Sequence, residues 1–319
     1  MKRLLVLLLA LMLFGCSSNN NEEESINIDN LSIVCPAGAP SLAFYSELDN
    51  DKFATSDAAS IMPELKSDSG SDIIVIDTVN GIKTLVGGAP YKLAANITFG
   101  NFFIAATGND EDNKMTEDDY IVLFSQGATP DLLFHYLYGN EYDSNIHYVA
   151  AVSDAAACLI KGINISDDER TIDEEPYVDY VMIAEPALTA ALAQNDSAYI
   201  YENIQNKYDL TTGHGLVQAS VFVSNRLSDE QVNMYLDKLK NNITNLQNDS
   251  NIFIDATAGL ADAEIKEIFG IPNTKIASIV LEKNSIGLGY KKAIDNKESI
   301  DGYISIFDLP KTDERIYFK

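Results

Sequence analysis

Positive charge is scarce: 22 Lys and Arg stand against 48 Asp and Glu over 319 residues, a formal charge of −26 at pH 7. That excludes a nucleic-acid binder working through its own charge, because phosphate neutralisation needs clustered cations. Cysteine is scarce as well, and Cys16, Cys35 and Cys158 make no disulfide framework. The three histidines, His135, His147 and His214, are scattered, with no HExxH and no CxxC pair, so neither a metal site nor a cofactor is expected. No Walker motif, GxGxxG or GxSxG occurs, which removes the usual signatures of nucleotide binding and of serine hydrolysis. No apolar run is long enough to span a bilayer, which takes about 17 residues or more. With 9 prolines, 46% hydrophobic and 22% charged residues, the composition is that of a folded chain rather than an acidic disordered tail.

What is present begins with a leader. Lys2 and Arg3 precede an apolar run over residues 4–14, of signal-peptide length, and Leu13-Phe14-Gly15-Cys16 follows. This ending resembles the bacterial lipobox, which implies cleavage after residues 1–15 and a lipid on Cys16. Residues 16–25 are almost all Ser, Asn and Glu and read as a flexible tether. The expected location is outside the cytoplasmic membrane, held there by the lipid alone.

The body alternates short apolar runs with helical segments. Strands are expected at residues 31–35, 72–76, 91–97, 102–106, 120–124, 147–150 and 178–184. Helices are expected from Ser41, after Asp77, from Thr129 as N-cap with Pro130 at the first helical position, over 154–161, and from Pro186. Ser228 opens another, with Val232, Tyr235, Leu236, Leu239, Ile243 and Leu246 at helical spacing, and one more fits residues 262–269. The alternation indicates an α/β class with parallel sheets covered on both faces. At this length about 75% of the unfolded surface can be buried, in two lobes of about 100 to 200 residues each. Turn chemistry gathers where strands end and helices begin, which is where open α/β sheets bind ligands.

In order, the residues VCPAGAP-SLA from Val34, the strand and turn at 72–80, GAPYKL from Gly88 leading to TFGN from Thr98, SQGATPD from Ser125 and AEPA from Ala184 resemble the solute-binding lipoproteins of ABC importers. The likeness is to their nitrate, taurine and sulfonate branch. It implies a two-lobed type II periplasmic-binding-protein fold whose hinge the chain crosses twice. Mapped onto this sequence, lobe 1 is 26–106 plus 223–319 and lobe 2 is 107–222, with crossings at 102–106 and 219–223. It implies a monomeric, non-catalytic protein that delivers a small solute to a permease with a cytoplasmic ATPase. An extracytoplasmic enzyme or a sensor lipoprotein on the same fold is the alternative.

The implied ligand set is Gly38, Ala39 and Pro40 after the first strand, Asp77, Thr78 and Asn80 after the second, and Thr98, Phe99 and Asn101 after the third. Gln126, Ala128, Thr129, Ser153 and Glu185 face them from lobe 2. None of these loops carries Lys or Arg, whereas Asp77, Asp131, Asp154 and Glu185 are acidic. A neutral or cationic ring-containing solute is therefore expected, with Asn80, Asn101, Gln126 and Thr129 as hydrogen-bonding groups and Asp77 or Glu185 orienting it. Phe44, Tyr45, Phe99 and Phe102 are the aromatic residues nearest these loops and candidates to stack on the ring.

Overall fold

The computed structural model describes residues 27–109, 114–165 and 177–319. The leader, Cys16 and the whole tether lie outside the described residues. Among the described residues no helix is long and apolar enough to cross a membrane.

The chain starts with β1 (Ile33–Pro36), a 3-10 segment over Ala39–Glu47, β2 (Phe53–Ser56), the helix Ala58–Leu65, β3 (Ile73–Asp77), the helix Thr78–Val86 and β4 (Tyr91–Thr98). It then leaves for a second sheet made of β5 (Phe102–Ala106), β6 (Ile121–Phe124), β7 (Ile146–Val149), β8 (Tyr180–Ala184) and β9 (Tyr199–Asn203). The helices Thr129–Tyr138, Val152–Lys161, Ala187–Leu192 and Ile204–Thr212 belong to this part. The chain returns to the first sheet in β10 (Ala219–Ser224), and after several helices adds β11 (Leu288–Lys292) and the helix Lys297–Ser305.

The first sheet has the order β11-β4-β10-β3-β1-β2 and the second β7-β6-β8-β5-β9. Side chains in β1 and β3 alternate between two cores, with Val34, Ile74 and Ile76 on one face and Ile33, Cys35, Ile73 and Val75 on the other. Both faces are covered, which is why these strands read as unbroken apolar runs. The first of these cores continues into the second lobe through Phe103, Val122 and Met182.

The expectation of parallel sheets holds for part of each sheet only. β1, β2 and β3 are parallel, as are β6, β7 and β8, but β10 runs antiparallel to β3 and β4, β11 runs antiparallel to β4, and β5 runs antiparallel to β8 and β9. The cause is the double crossing. β3, β4, β6 and β8 end at the gap between the sheets, whereas β5 and β10 receive the chain from the other lobe and must start there. For the same reason neither β5 nor β10 is itself a crossing. Each is hydrogen-bonded wholly within one sheet, β5 in the second and β10 in the first, so the chain changes lobe at residues 99–101 and 213–218. The lobe boundaries move with them.

Local signals explain most helix starts. Ser228 accepts from the Gln231 N–H at 3.2 Å while the Gln231 side chain accepts from the Ser228 N–H at 3.0 Å, a reciprocal cap for Asp229–Asn248. Asp57, Asn203 and Asn273 cap three further helices. Thr129, expected as an N-cap, is the first helical residue instead, with Ala128 in the capping position and Pro130 one residue further in.

Candidate ligand-binding cleft

A cavity of about 490 Å³ opens between the two sheets, within the range of small-molecule sites. Its first wall is built by the loop after β1, through Gly38, Ala39 and Pro40, and by Asp77 at the end of β3 and Thr98 at the end of β4. Asn101 and Phe102 come from the first crossing and the strand it feeds, and Gln218 and Ala219 from the second. The second lobe contributes Phe124, Pro130, Val152, Ala184, Glu185 and Pro186. By contrast, a groove of about 540 Å³ lined by Met62, Lys66, Asn80, Lys83, Thr84 and residues 87–89 draws on the first lobe alone.

The loop after β1 is shaped by Gly38, at φ +123°. Gly270 packs directly behind it: a Cβ on Gly270 would lie 2.9 Å from the Gly38 nitrogen. Backbone therefore lines this part of the wall, and a side chain at 270 would push it into the cleft.

Of the expected ligand residues, Gly38, Ala39, Pro40, Asp77, Thr98, Asn101 and Glu185 are gathered in the cleft lining. The rest stand elsewhere. Thr78 is fully buried, its hydroxyl 2.6 Å from that of Ser220. Asn80 is exposed in the first-lobe groove. The Phe99 ring lies under Lys291, whose Nζ is 5.4 Å from its centroid. Gln126, Ala128 and Ser153 are exposed and Thr129 is half-buried, while their neighbours Pro130 and Val152 reach the cleft. Of the aromatic candidates, Phe44 is core, 6.1 Å from Phe53, and Phe102 lines the cleft beside Phe124 at 6.3 Å.

The acidic residues differ in what they have left to offer. Both Glu185 oxygens are taken, one by the Thr189 N–H at 3.0 Å and the other by the Thr189 hydroxyl at 2.8 Å. Asp131 accepts from the Gly127 N–H at 2.7 Å and from the Tyr148 hydroxyl at 2.9 Å, and lies 3.0 Å from His135. Asp154 accepts from the Ala151 N–H. Asp77 caps its helix with one oxygen, on the Asn80 N–H at 2.9 Å, and faces the cleft. Burial pushes its carboxyl above the usual carboxylate range, against the pull of the Asn80 and Val79 N–H groups and of Lys83. The fully buried Tyr303, on the helix Lys297–Ser305, is pushed up by burial and then by the Asp77 charge, while the Thr129 hydroxyl pulls the other way. No Lys, Arg or His stands among the described residues of the lining.

Gln218 is the polar lining residue that sequence reasoning missed. The expected ligand residues stand at the carboxyl ends of strands, whereas Gln218 precedes the amino end of β10. Because β10 is antiparallel, Ala219 pairs with Asp77 and with Thr98, so its start lies at the same edge as their ends. The signal was a polar residue directly before an apolar run.

No protein-family model matches the sequence, and no curated protein matches it. In fold the chain is similar to several solved structures. One is an ABC transporter protein from Parabacteroides distasonis, with a TM-score of 0.66 and 18% identity over 90% of this chain and 94% of that one. Another is the zinc-bound ligand-binding component of an ABC-type import system from Staphylococcus aureus, at 0.61 and 11% over 91% and 96%. A third is the periplasmic aliphatic sulphonate-binding protein of Escherichia coli, at 0.59 and 14% over 91% and 92%. The chain has the two-lobed α/β fold of these binding proteins.

Proposed function

We propose that this protein captures a small solute between its lobes, outside the cytoplasmic membrane, and delivers it to an ABC permease driven by a cytoplasmic ATPase. The observation that carries the reading is the cleft of about 490 Å³ walled by both sheets and by both chain crossings. A site divided between two lobes on a double crossing suits capture by closure about a hinge. The solute-binding names of the structural neighbours support it.

The solute is neutral or cationic, ring-containing and of nutrient size, such as a vitamin precursor, because the lining offers carboxylates and, among the described residues, no cation. The protein acts as a monomer tethered by a lipid on Cys16. Small molecules released from freshly purified protein, identified by mass spectrometry, test the solute. In calorimetry such compounds bind, and nitrate, taurine and alkanesulfonates do not. Micromolar binding of any of these anions would refute the charge assignment. Cys16→Ser releases the protein into the soluble extracytoplasmic fraction if the anchor is as proposed, and a variant that stays membrane-bound with its body intact rules the lipid out.

A further inference from the structure

Resting on the reading that the cleft takes a solute, we propose that a row of unpaired polar atoms at the chain crossings, Thr98, Asn101 and Gln218 beside Asp77, holds it and selects a planar head bearing N–H donors: an amidine, an amide or an amino-substituted nitrogen ring.

Buried side-chain polar atoms nearly always have partners, and one left without costs about 1–3 kcal/mol. Among the described residues Thr98 Oγ1, Asn101 Oδ1 and Gln218 Oε1 are all buried without a hydrogen-bond partner, and all three residues line the cleft. Thr98 is 1% exposed and Asn101 7%. The Asn101 amide has a determined orientation. Its nitrogen donates to the Glu185 carbonyl oxygen at 2.9 Å, a bond that only the NH₂ group can make, so the unpaired atom is an acceptor. Asp77 adds a carboxylate held only by backbone N–H groups, those of Asn80 and Val79, which leaves it acceptor capacity toward the cleft. Asn101 Oδ1 and the Asp77 carboxylate are acceptors that ask their ligand for a donor, which nitrate, sulfonate and carboxylate groups do not bring, while the Thr98 hydroxyl can serve either way.

The row is rigid. The Gln218 N–H donates to the Thr98 carbonyl at 3.0 Å, and the Gln218 carbonyl accepts from the Thr78 N–H at 3.0 Å. Asp77, the start of β10 and Thr98 therefore sit side by side on adjacent strands, about 4.8 Å apart each. Phe102 and Phe124, from the second sheet, offer aromatic faces in the same cleft.

The test uses the soluble chain without its leader and a matched series, benzamidine, benzamide and benzoate, with 4-aminopyrimidine as a ring nitrogen base, read by calorimetry and by ligand-observed NMR. The donor-bearing compounds bind and benzoate binds at least tenfold more weakly than benzamidine. Gln218→Leu weakens benzamidine and benzamide at least fivefold with the melting transition retained, and Gln218→Glu, which keeps the acceptor, retains benzamidine. Asp77→Asn weakens benzamidine selectively. Benzoate binding as tightly as benzamidine, no binding of any donor-bearing compound, or a folded Gln218→Leu protein with unchanged affinity each overturns the proposal. A released solute without an N–H donor overturns it too while leaving solute capture intact. A protein that releases no solute and shows no melting shift with a broad metabolite panel overturns both.

Discussion

Gly287 is packed against the Gly100 carbonyl so closely that a Cβ on Gly287 would fall 2.0 Å from that oxygen. Gly287 is also left-handed, at φ +62°, and its own carbonyl accepts the Phe99 N–H at 2.8 Å. The first chain crossing thus rests on the turn that precedes β11. Gly287→Ala is expected to cost about 1–3 kcal/mol for the overlap and about 1–2 kcal/mol for a side chain in that backbone conformation. It should also weaken solute binding, because Thr98 and Asn101 flank the displaced residues. Urea unfolding and calorimetry read the two effects. Gly259→Ala, with open space around it, serves as the control and should change stability by less than about 0.5 kcal/mol.

A buried polar chain crosses the first sheet. The Asn296 side-chain nitrogen donates to Asn96 Oδ1 at 2.8 Å, the Asn96 nitrogen donates to the Ser220 hydroxyl at 2.8 Å, and that hydroxyl pairs with Thr78. Asn96 and Ser220 are fully buried. Asn96→Leu strands partners on both sides, and a loss of about 2–4 kcal/mol is expected from two unsatisfied groups. In a double-mutant cycle with Ser220→Ala the two losses should not add; strictly additive losses would show that the chain is not a unit.

Acid should destabilise the fold through Asp72. Burial pushes this carboxyl up, but the Ser32 N–H and hydroxyl and the Arg226 guanidinium together outweigh burial and hold it below the usual range. A lowered folded value means the contribution is present above the unfolded value of about 3.9 and is lost as pH falls through the folded one. Asp301, held down against burial by Lys297 and Thr312, acts with the same sign. Melting temperature should fall below about pH 4, and Asp72→Asn should flatten that limb. Asp77 has the opposite sign, because its raised value penalises the charged form in the fold. Asp77→Asn, which keeps an N-capping side chain, should melt higher than the parent at pH 7, with the gap closing as pH falls from the raised folded value toward the unfolded one and gone below it.

Cys35 and Cys158 are both fully buried and unpaired, one in each lobe, and burial raises both thiols. Native protein lacking Cys16 should resist a thiol reagent at pH 8, and denaturation without reductant should expose two thiols. A count of zero would mean a bridge between the lobes, incompatible with Cys35 on β1 of the first sheet and Cys158 on the helix Val152–Lys161 of the second lobe.

Much of the fold was legible because the relevant signals are local. The run DIIVI before Asp77-Thr78 marks a strand that ends in a helix cap, and both appear where expected, as β3 and the helix Thr78–Val86. The pattern after Ser228 combines a reciprocal cap with an apolar stripe, and each half confirms the other. β2, β9 and the helix Lys297–Ser305 were missed because they are short or polar, and packing against neighbours decides their state. Strand direction was misread because β5 and β10 have the same apolar composition as parallel strands, and nothing within five or six residues encodes which end receives the chain.

The amino-acid sequence by itself determined the longer, strongly patterned elements and the absence of cations from the βα loops, both of which follow from residue identity and short-range spacing. Tertiary structure alone decided which polar groups remain unengaged. Glu185 and Asp131 look as free as Asp77 in the sequence, but Thr189 occupies the first and Gly127 and Tyr148 the second. Gln218 becomes a cleft residue only when an antiparallel strand brings its amino end beside Asp77 and Thr98. A hydrogen bond satisfies a group through a partner that can lie anywhere along the chain, so the capacity left for a ligand is a property of the fold.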